Sequence, residues 1–433
     1  MSDLSGVARS RIAILGAGSR GAGAYGSYIL RRPDLGHVVA IADPRADRLA
    51  AAAAQHAVAP EHLYARWEQL IAEEPGLDAI IIATPDAAHL AAALAAIERG
   101  ISILLEKPIA LTEIDVRRLL AAADRSGADI TVAHVLRYTA FFSRIKELLD
   151  RGVIGTLQCV RHTEHIGYWH FAHSYVRGNW RNTAEAAPMI LAKACHDFDI
   201  LQWLIGAPCA TLSSFGRLGH FTAANAPEGS TARCDEGCAV ERSCPYSAHR
   251  IYLEKFPPSD RWPHAVLSMD TSAEGIAAAL HEGPYGRCVY RCDNDVVDHQ
   301  LVLMHFANGV DATMTVSAFT GEVTRTINLM GSLGEIAGDF NANEITVSDF
   351  RLGDRRTSQL TIPGDALHGG GDDGLMADFL GRVQERRRRG GAPEAPTSLR
   401  ASVASHLMAF AAEQARLHGQ CMGVEIDLPA GPA

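Results

Sequence analysis

The feature that most narrows what this chain can fold into is a short apolar run that ends in a glycine turn. Residues Arg11 to Leu15 (RIAIL) read as a β-strand, and GAGSRG follows, with Gly16, Gly18 and Gly21 at G-x-G-x-x-G spacing. The next segment, GAYGSYILRR, reads as a helix. Strand, glycine turn and helix together form the fingerprint of a dinucleotide-binding unit. The first glycine permits the tight turn, the second lets backbone approach a pyrophosphate, and the third allows close helix–strand packing. The helix N-terminus favours the anionic phosphates. Ser19 and Arg20, inside the turn, are candidate cofactor contacts.

A second strand, His37 to Ala42, delivers Asp43 22 residues beyond Gly21. A carboxylate at that strand end bonds ribose hydroxyls and repels a 2′-phosphate, which favours NAD; Arg45 close by keeps NADP open. Strand and helix patterns then alternate. AIIIA (Ala79 to Ala83) ends in Thr84-Pro85, and a helical pattern containing His89 runs to Gly100. ISILL (Ile101 to Leu105) ends in Glu106-Lys107-Pro108, Thr112 reads as a helix cap with Asp115 three residues on, and ITVAH closes the set at His134. Doubly wound sheets bind ligands beyond the carboxyl ends of their strands, so Thr84, Pro85, His89, Glu106 and Lys107 join the cofactor candidates. Residues 1–136 are expected to form a Rossmann NAD-binding domain.

The motifs GAGSRG, ATPDAAH and LLEKP resemble those of the Gfo/Idh/MocA oxidoreductases, the glucose-fructose oxidoreductase and inositol dehydrogenase group. The resemblance extends over nearly the whole chain, through MILAKACHDFDILQWLIG (Met189 to Gly206) and the C-terminal SLRASVASHLMAFAAEQARLHG. It implies that Lys107 lies beside the nicotinamide and the reacting hydroxyl, with a cis peptide before Pro108. An ammonium there can stabilise the alkoxide that develops as hydride leaves. The alternative is a surface lysine paired with Glu106.

From Thr139 onward strands follow one another without intervening helices: TLQCVRHTEHI, QLVLMHF, DATMTVSAF, TRTINLMG and NEITVSD. They predict an α+β domain, 137–433, with a large open, mainly antiparallel sheet. In the resembling family such a sheet offers one face to a partner subunit, so a homo-oligomer, dimer or tetramer, is expected. The helix read over Ala184 to Gly206 carries Lys193, His196, Asp197 and Asp199. Lys193 and His196 are three apart and share a face; His196 suits proton exchange, with Lys193 assisting and Asp197 near the substrate. The resembling family usually has D-x-x-x-H here, whereas this chain has Ala192 in the carboxylate position. Tyr168, His170, His173, Arg177, Trp180 and Arg181 suit a sugar ring or a carboxylate, with a metal site or inert loop packing as the alternatives. Five cysteines fall in an insertion spanning about 220–295. Cys234, Cys238, Cys244 and Cys292 are read as candidate ligands of a structural zinc, with an iron–sulfur site, free thiols or a disulfide as the alternatives.

A formal charge of −10 shows no dominant basic face and argues against nucleic acid. No apolar stretch is long enough to span a bilayer, and the N-terminus lacks a secretory core, so a cytoplasmic protein with reduced cysteines is expected. The combined expectation is hydride transfer between a nicotinamide and a hydroxyl of a sugar, glycoside or cyclitol. The rivals are an NAD-dependent glycoside hydrolase, which oxidises, eliminates, adds water and reduces again, and a non-catalytic nucleotide-binding subunit.

Overall fold

The structure, a computed structural model, describes residues 9–361 and 367–425, which fall into two compact units. One unit holds the chain up to Ser143 and the stretch from 367 to His406; the other holds Arg144–Thr361 and the stretch from Leu407 to 425. This differs from a division at residue 136, because the helix Gly371–Arg389 returns to complete the first unit. Its apolar stripe is the reason. Leu375, Met376, Phe379, Leu380 and Val383 recur at helical spacing and share one buried core with Ile12, Ile14, Tyr25 and Ile41.

The first unit carries six parallel strands: β1 (Ser10–Leu15), β2 (Gly36–Ala42), β3 (Leu63–Tyr64), β4 (Ala79–Ile82), β5 (Ser102–Leu105) and β6 (Ile130–Val132). Their order is β3-β2-β1-β4-β5-β6, so the winding reverses at β1. β4 and β5 are buried on both faces, which explains their unbroken apolar runs. Beyond β1, Gly16 has φ +90°, and a Cβ there would meet the Ala83 carbonyl oxygen at 2.3 Å. A Cβ on Gly21 would meet the Gly16 carbonyl oxygen at 2.0 Å. Both positions therefore require glycine. The segment Ser19–Gly26 winds as a π-helix before the α-helical Ser27–Arg31, where one regular helix was expected.

The second unit carries a nine-stranded sheet: β7 (Leu157–His165), β8 (Cys209–Arg217), β9 (His299–Phe306), β10 (Asp311–Ser317), β11 (Thr324–Gly331), β12 (Gly334–Asp339), β13 (Glu344–Asp349), β14 (Asp354–Gln359) and β15 (Met422–Gly423). The order is β14-β13-β12-β11-β7-β10-β9-β8-β15, antiparallel except for the β7–β10 pair. β9 alternates buried and exposed residues along its length, as a sheet covered on one face requires. The helix expected over Ala184 to Gly206 is two helices, Met189–Ala192 and Cys195–Ile205, with Lys193 at the break.

Candidate active site

In the first unit the predicted residues gather at the carboxyl ends of β1, β2, β4 and β5. Asp43 follows β2 and is buried; its Oδ2 accepts from the Ala17 amide at 2.8 Å and its Oδ1 from the Arg45 amide at 2.8 Å. The carboxylate thus ties the glycine turn to the end of β2. Arg45's guanidinium is bound to Asp47 and exposed. A Cβ on Gly18 would meet nothing within 4 Å except Arg48 Nη1 at 3.7 Å, so space stands open above that backbone. The Thr84 hydroxyl is buried without a hydrogen-bond partner in the protein. A bared glycine backbone, a carboxylate at the second strand and an unsatisfied hydroxyl at the fourth fit a dinucleotide.

Glu106 and Lys107 follow β5, and the Lys107–Pro108 peptide is cis. The Glu106 carboxylate is held on three sides. Its Oε1 accepts from Arg20 Nε at 2.7 Å and from the Tyr25 hydroxyl at 2.5 Å, and its Oε2 accepts from the Lys107 amide at 3.0 Å. Arg20 reaches on to Asp372 Oδ1 at 2.6 Å, and Asp372 Oδ2 pairs with His368 Nδ1 at 2.7 Å. Burial alone would push the Glu106 carboxyl up, but Arg20 and Lys107 outweigh it and hold the group below its ordinary value. The glycine turn, the Glu106-Lys107-Pro108 tripeptide and the helix Gly371–Arg389 are thereby joined by one guanidinium.

Two cofactor candidates turn out to have structural partners. Arg20's guanidinium is engaged by Glu106, Tyr25 and Asp372, so its charge is matched within the protein. His89 is buried, with Nδ1 2.7 Å from the Pro108 carbonyl and Nε2 3.1 Å from the Thr84 carbonyl, so it straps two loops together. Ser19 and Pro85 are exposed.

The second unit holds a chain of five charged or titratable groups that sequence reading only partly found. Lys193 Nζ lies 3.0 Å from Glu164 Oε1. Arg325 Nε lies 2.8 Å from both Glu164 Oε2 and Asp197 Oδ1, and His162 Nε2 lies 2.7 Å from the same Asp197 oxygen. Glu164 and Asp197 are buried, whereas the Lys193 side chain retains 14% exposure, so the lysine is the end of the chain that meets the surface. Burial lowers the Lys193 pKa; Glu164 raises it again and Arg325 lowers it further, leaving it below an ordinary lysine. For Asp197, burial is overcome by Arg325 and His162, and its carboxyl sits well below the usual range. His196 is half-buried on the helix Cys195–Ile205. Glu164 was hidden because a polar position on a strand (β7) reads as ordinary sheet polarity, and Arg325 lies 128 residues from Asp197.

Several predicted substrate contacts prove to be internal. Asp197 is fully buried in its ion pairs and exposes no carboxylate to a ligand. His173 is buried, with Nδ1 2.8 Å from the Tyr252 hydroxyl; burial, with the charge of Arg177, pushes its pKa down to about 3. Arg177 is also buried: its Nε donates to the Arg287 carbonyl at 2.8 Å and its Nη2 to the Tyr246 carbonyl at 2.7 Å. Arg181 pairs with Asp293 and Glu185. Tyr168, His170 and Trp180 keep partial exposure among other aromatic rings: Tyr168 against Tyr246, His170 against Trp262 and Trp180 against Tyr175.

The cysteines do not bear out a zinc site. All nine are free thiols, and among the described residues no group of three or more His, Cys, Asp or Glu is placed to hold a metal ion. Cys234, Cys238 and Cys244 line one small cavity together with Cys288 rather than Cys292. Cys292 Sγ instead reaches the Cys288 carbonyl at 3.3 Å, back along its own turn. The buried cation Arg177, also on that cavity, stands where a cationic zinc would add like charge.

Comparison with known proteins agrees with this geometry. Residues 10–134 match the oxidoreductase family with the NAD-binding Rossmann fold, and residues 146–361 match that family's C-terminal α/β domain. The chain is 32% identical to an inositol 2-dehydrogenase of Streptomyces avermitilis over 223 residues, covering 50% of this chain and 60% of that protein. It is 24% identical to a putative oxidoreductase, YteT, of Bacillus subtilis, covering 72% of this chain and 74% of the relative. Among solved structures, levoglucosan dehydrogenase in complex with NADH and levoglucosan superposes with a TM-score of 0.69 at 18% identity, over 96% of this chain and 100% of that one. An oxidoreductase from Agrobacterium radiobacter in complex with NAD+, L-tartaric acid and magnesium superposes with a TM-score of 0.68 at 16% identity, over 97% of this chain and 100% of that one. At these identities the superpositions establish the fold. No helix among the described residues is long and apolar enough to cross a membrane.

Proposed function

Because this chain belongs to the Gfo/Idh/MocA oxidoreductase family, we propose that it transfers hydride between NAD and a secondary hydroxyl of a sugar or cyclitol. The observation that carries the reading is the Glu106-Lys107-Pro108 tripeptide, buried at its acidic end and fixed to the glycine turn through Arg20. Bound nicotinamide supplies the hydride acceptor. The chain's own residues do the rest. Gly16, Gly18 and Gly21 admit the pyrophosphate, Asp43 takes the ribose hydroxyls, and Thr84 offers its unsatisfied hydroxyl. Asp43 supports NAD over NADP, because a 2′-phosphate beside a buried carboxylate is repelled and Arg45 is already neutralised by Asp47. Lys107 polarises the carbinol oxygen, and His196 with Lys193 exchanges its proton.

A neutral polyol suits the second unit, since its network balances two cations, Lys193 and Arg325, with two carboxylates, Glu164 and Asp197. The inositol and levoglucosan dehydrogenases among the similar proteins support the same class. The exposed Phe215, Leu301 and Leu303 on paired strands β8 and β9 support self-association through the sheet, and sedimentation would show a dimer or tetramer.

The test is turnover with NAD and a panel of inositols, free hexoses and glycosides. Net NADH formation with a free polyol is the expected result, and Lys107→Ala lowers it roughly 10²–10⁴-fold while NAD affinity stays near the wild-type value. Glycoside cleavage that needs NAD without net NADH would replace the reading by the redox-assisted hydrolase, which the alanine at position 192 supports. Retained turnover in both Lys107→Ala and His196→Ala would remove the catalytic assignment.

A further inference from the structure

Lys193 is an unusual group to leave at the mouth of a buried network. At the break between the helices Met189–Ala192 and Cys195–Ile205, its neighbour Ala192 is apolar, and Asp197 on the second helix acts on the lysine only at a distance, being paired with Arg325 and His162. The carboxylate that touches Lys193 comes from another element. Glu164 stands on β7, a central strand of the nine-stranded sheet, and is 1% exposed. Its two oxygens are divided, Oε1 to Lys193 at 3.0 Å and Oε2 to Arg325 at 2.8 Å. Arg325, on β11 beside β7, is held in turn by Asp197. The order along the network is therefore Lys193, Glu164, Arg325, Asp197, His162, with charges alternating in sign from the lysine to the aspartate.

We propose that Glu164 is a positioning residue of the active site: from β7 it supplies the carboxylate that position 192 lacks, fixing the Lys193 ammonium and governing its proton exchange. This rests on the reading of Lys193 as part of the proton-transfer apparatus. Two anchored neighbours act on the lysine in opposite senses. Glu164 favours the charged ammonium, while burial and Arg325 favour the neutral amine. The other Glu164 oxygen lies 2.8 Å from Arg325 Nε, so the carboxylate is ion-paired on both sides. A lysine tethered by one exposed carboxylate would be mobile and screened; here the tether is buried and braced from behind. Titratable groups near Lys193 on its own helices are His196 and Asp197, with His162 beyond Asp197.

The experiment reads Lys193 directly. Competitive acetylation by acetic anhydride across pH, quantified on the Lys193 peptide, gives its titration without any substrate. In Glu164→Gln the midpoint falls by about one pH unit, because the opposing charge is lost while burial and Arg325 remain. With inositol as substrate, kcat falls about tenfold at neutral pH while KM changes less than twofold. If Glu164→Gln folds poorly, Glu164→Asp keeps the charge for Arg325, lengthens the reach to Lys193, and should shift the midpoint in the same direction by less. An unchanged acetylation midpoint in both variants overturns the proposal even if the melting temperature drops. Full turnover in Lys193→Ala instead overturns the reading it rests on, and the acetylation result stands apart from that outcome.

Discussion

Each unit of this protein sets an arginine between two carboxylates, and the two arrangements treat a neighbouring lysine differently. In the first, Arg20 joins Glu106 to Asp372, and Glu106 takes the backbone amide of Lys107. In the second, Arg325 joins Glu164 to Asp197, and Glu164 takes the ammonium of Lys193 itself. The first places a lysine by its backbone; the second places one by its charge. They also differ in depth. Arg20's side chain is 29% exposed and shares its load with Tyr25 and His368, whereas Arg325's is 10% exposed and its carboxylates are shut away from water. A charge clamp at that depth is costly to break, because each partner left behind is a buried ion.

The largest expected effect follows from this. Arg325→Met leaves Glu164 and Asp197 close together without their shared cation and should lower stability by roughly 3–5 kcal/mol, read as a denaturant midpoint. Arg20→Met should cost less, roughly 1–3 kcal/mol, since Tyr25 and the Lys107 amide still serve Glu106 and His368 still serves Asp372. The pH dependence should separate the two further. In the wild type, Asp197, Asp372 and Glu106 are held below their unfolded values, so their contribution is present above the ordinary carboxylate range and lost as pH falls through it. In Arg325→Met the Asp197 carboxyl loses the largest charge that holds it down against burial and rises, so stability should increase as pH falls from 7 to 5. Equal losses in the two arginine variants would end the distinction drawn here.

A smaller effect concerns two buried histidines whose proton affinity is strongly depressed, one in each unit. His134 in the first is driven well below its ordinary value by burial, and His173 in the second to about 3. A histidine depressed on folding binds its proton more readily in the unfolded chain. Stability is therefore lost as pH falls below the unfolded value near 6.5, by about 1.4 kcal/mol per pH unit for each such group. His173→Gln should remove one proton's worth of that slope between pH 6 and 4. A slope unchanged from the wild type would mean that His173 is protonated in the folded protein.

What the sequence disclosed and what it withheld divide along chain distance. The glycine turn, Asp43 and Glu106-Lys107-Pro108 announce themselves because each is a local motif on a predictable strand end. The clamp around them does not: Arg20 meets Glu106 across 86 residues and Asp372 across 352. β7, β9, β10, β11 and β13 could be read from their alternation, while β14 (DRRTSQ), largely exposed and charged, carries none to read. Lys193 stood out as a charged residue on an apolar helix, yet its partners Glu164 and Arg325 lie on two strands whose adjacency only the sheet order reveals. The cysteines show the reverse failing. Their spacing suggested ligands, but spacing along a loop does not decide which thiols meet: Cys288 joins Cys234, Cys238 and Cys244 on one cavity, while Cys292 turns back on the Cys288 carbonyl.

Tyr25 gives the smallest and sharpest test of the first clamp. Its hydroxyl donates to Glu106 Oε1 at 2.5 Å and accepts from Arg20 Nη2 at 2.6 Å, and the ring is fully buried. Burial, against the opposing charge of Arg20, raises its pKa well above that of free tyrosine, so it is a neutral donor at any working pH. Tyr25→Phe removes one hydrogen bond on each side while the direct Arg20–Glu106 pair remains, and should cost about 1–2 kcal/mol. If the first unit places Lys107 through its backbone, that loss should appear in the melting temperature and leave kcat near the wild-type value. A drop in kcat larger than tenfold would mean that the position of Glu106 is tuned more finely than a backbone clamp requires, and would bring the first network closer in kind to the second.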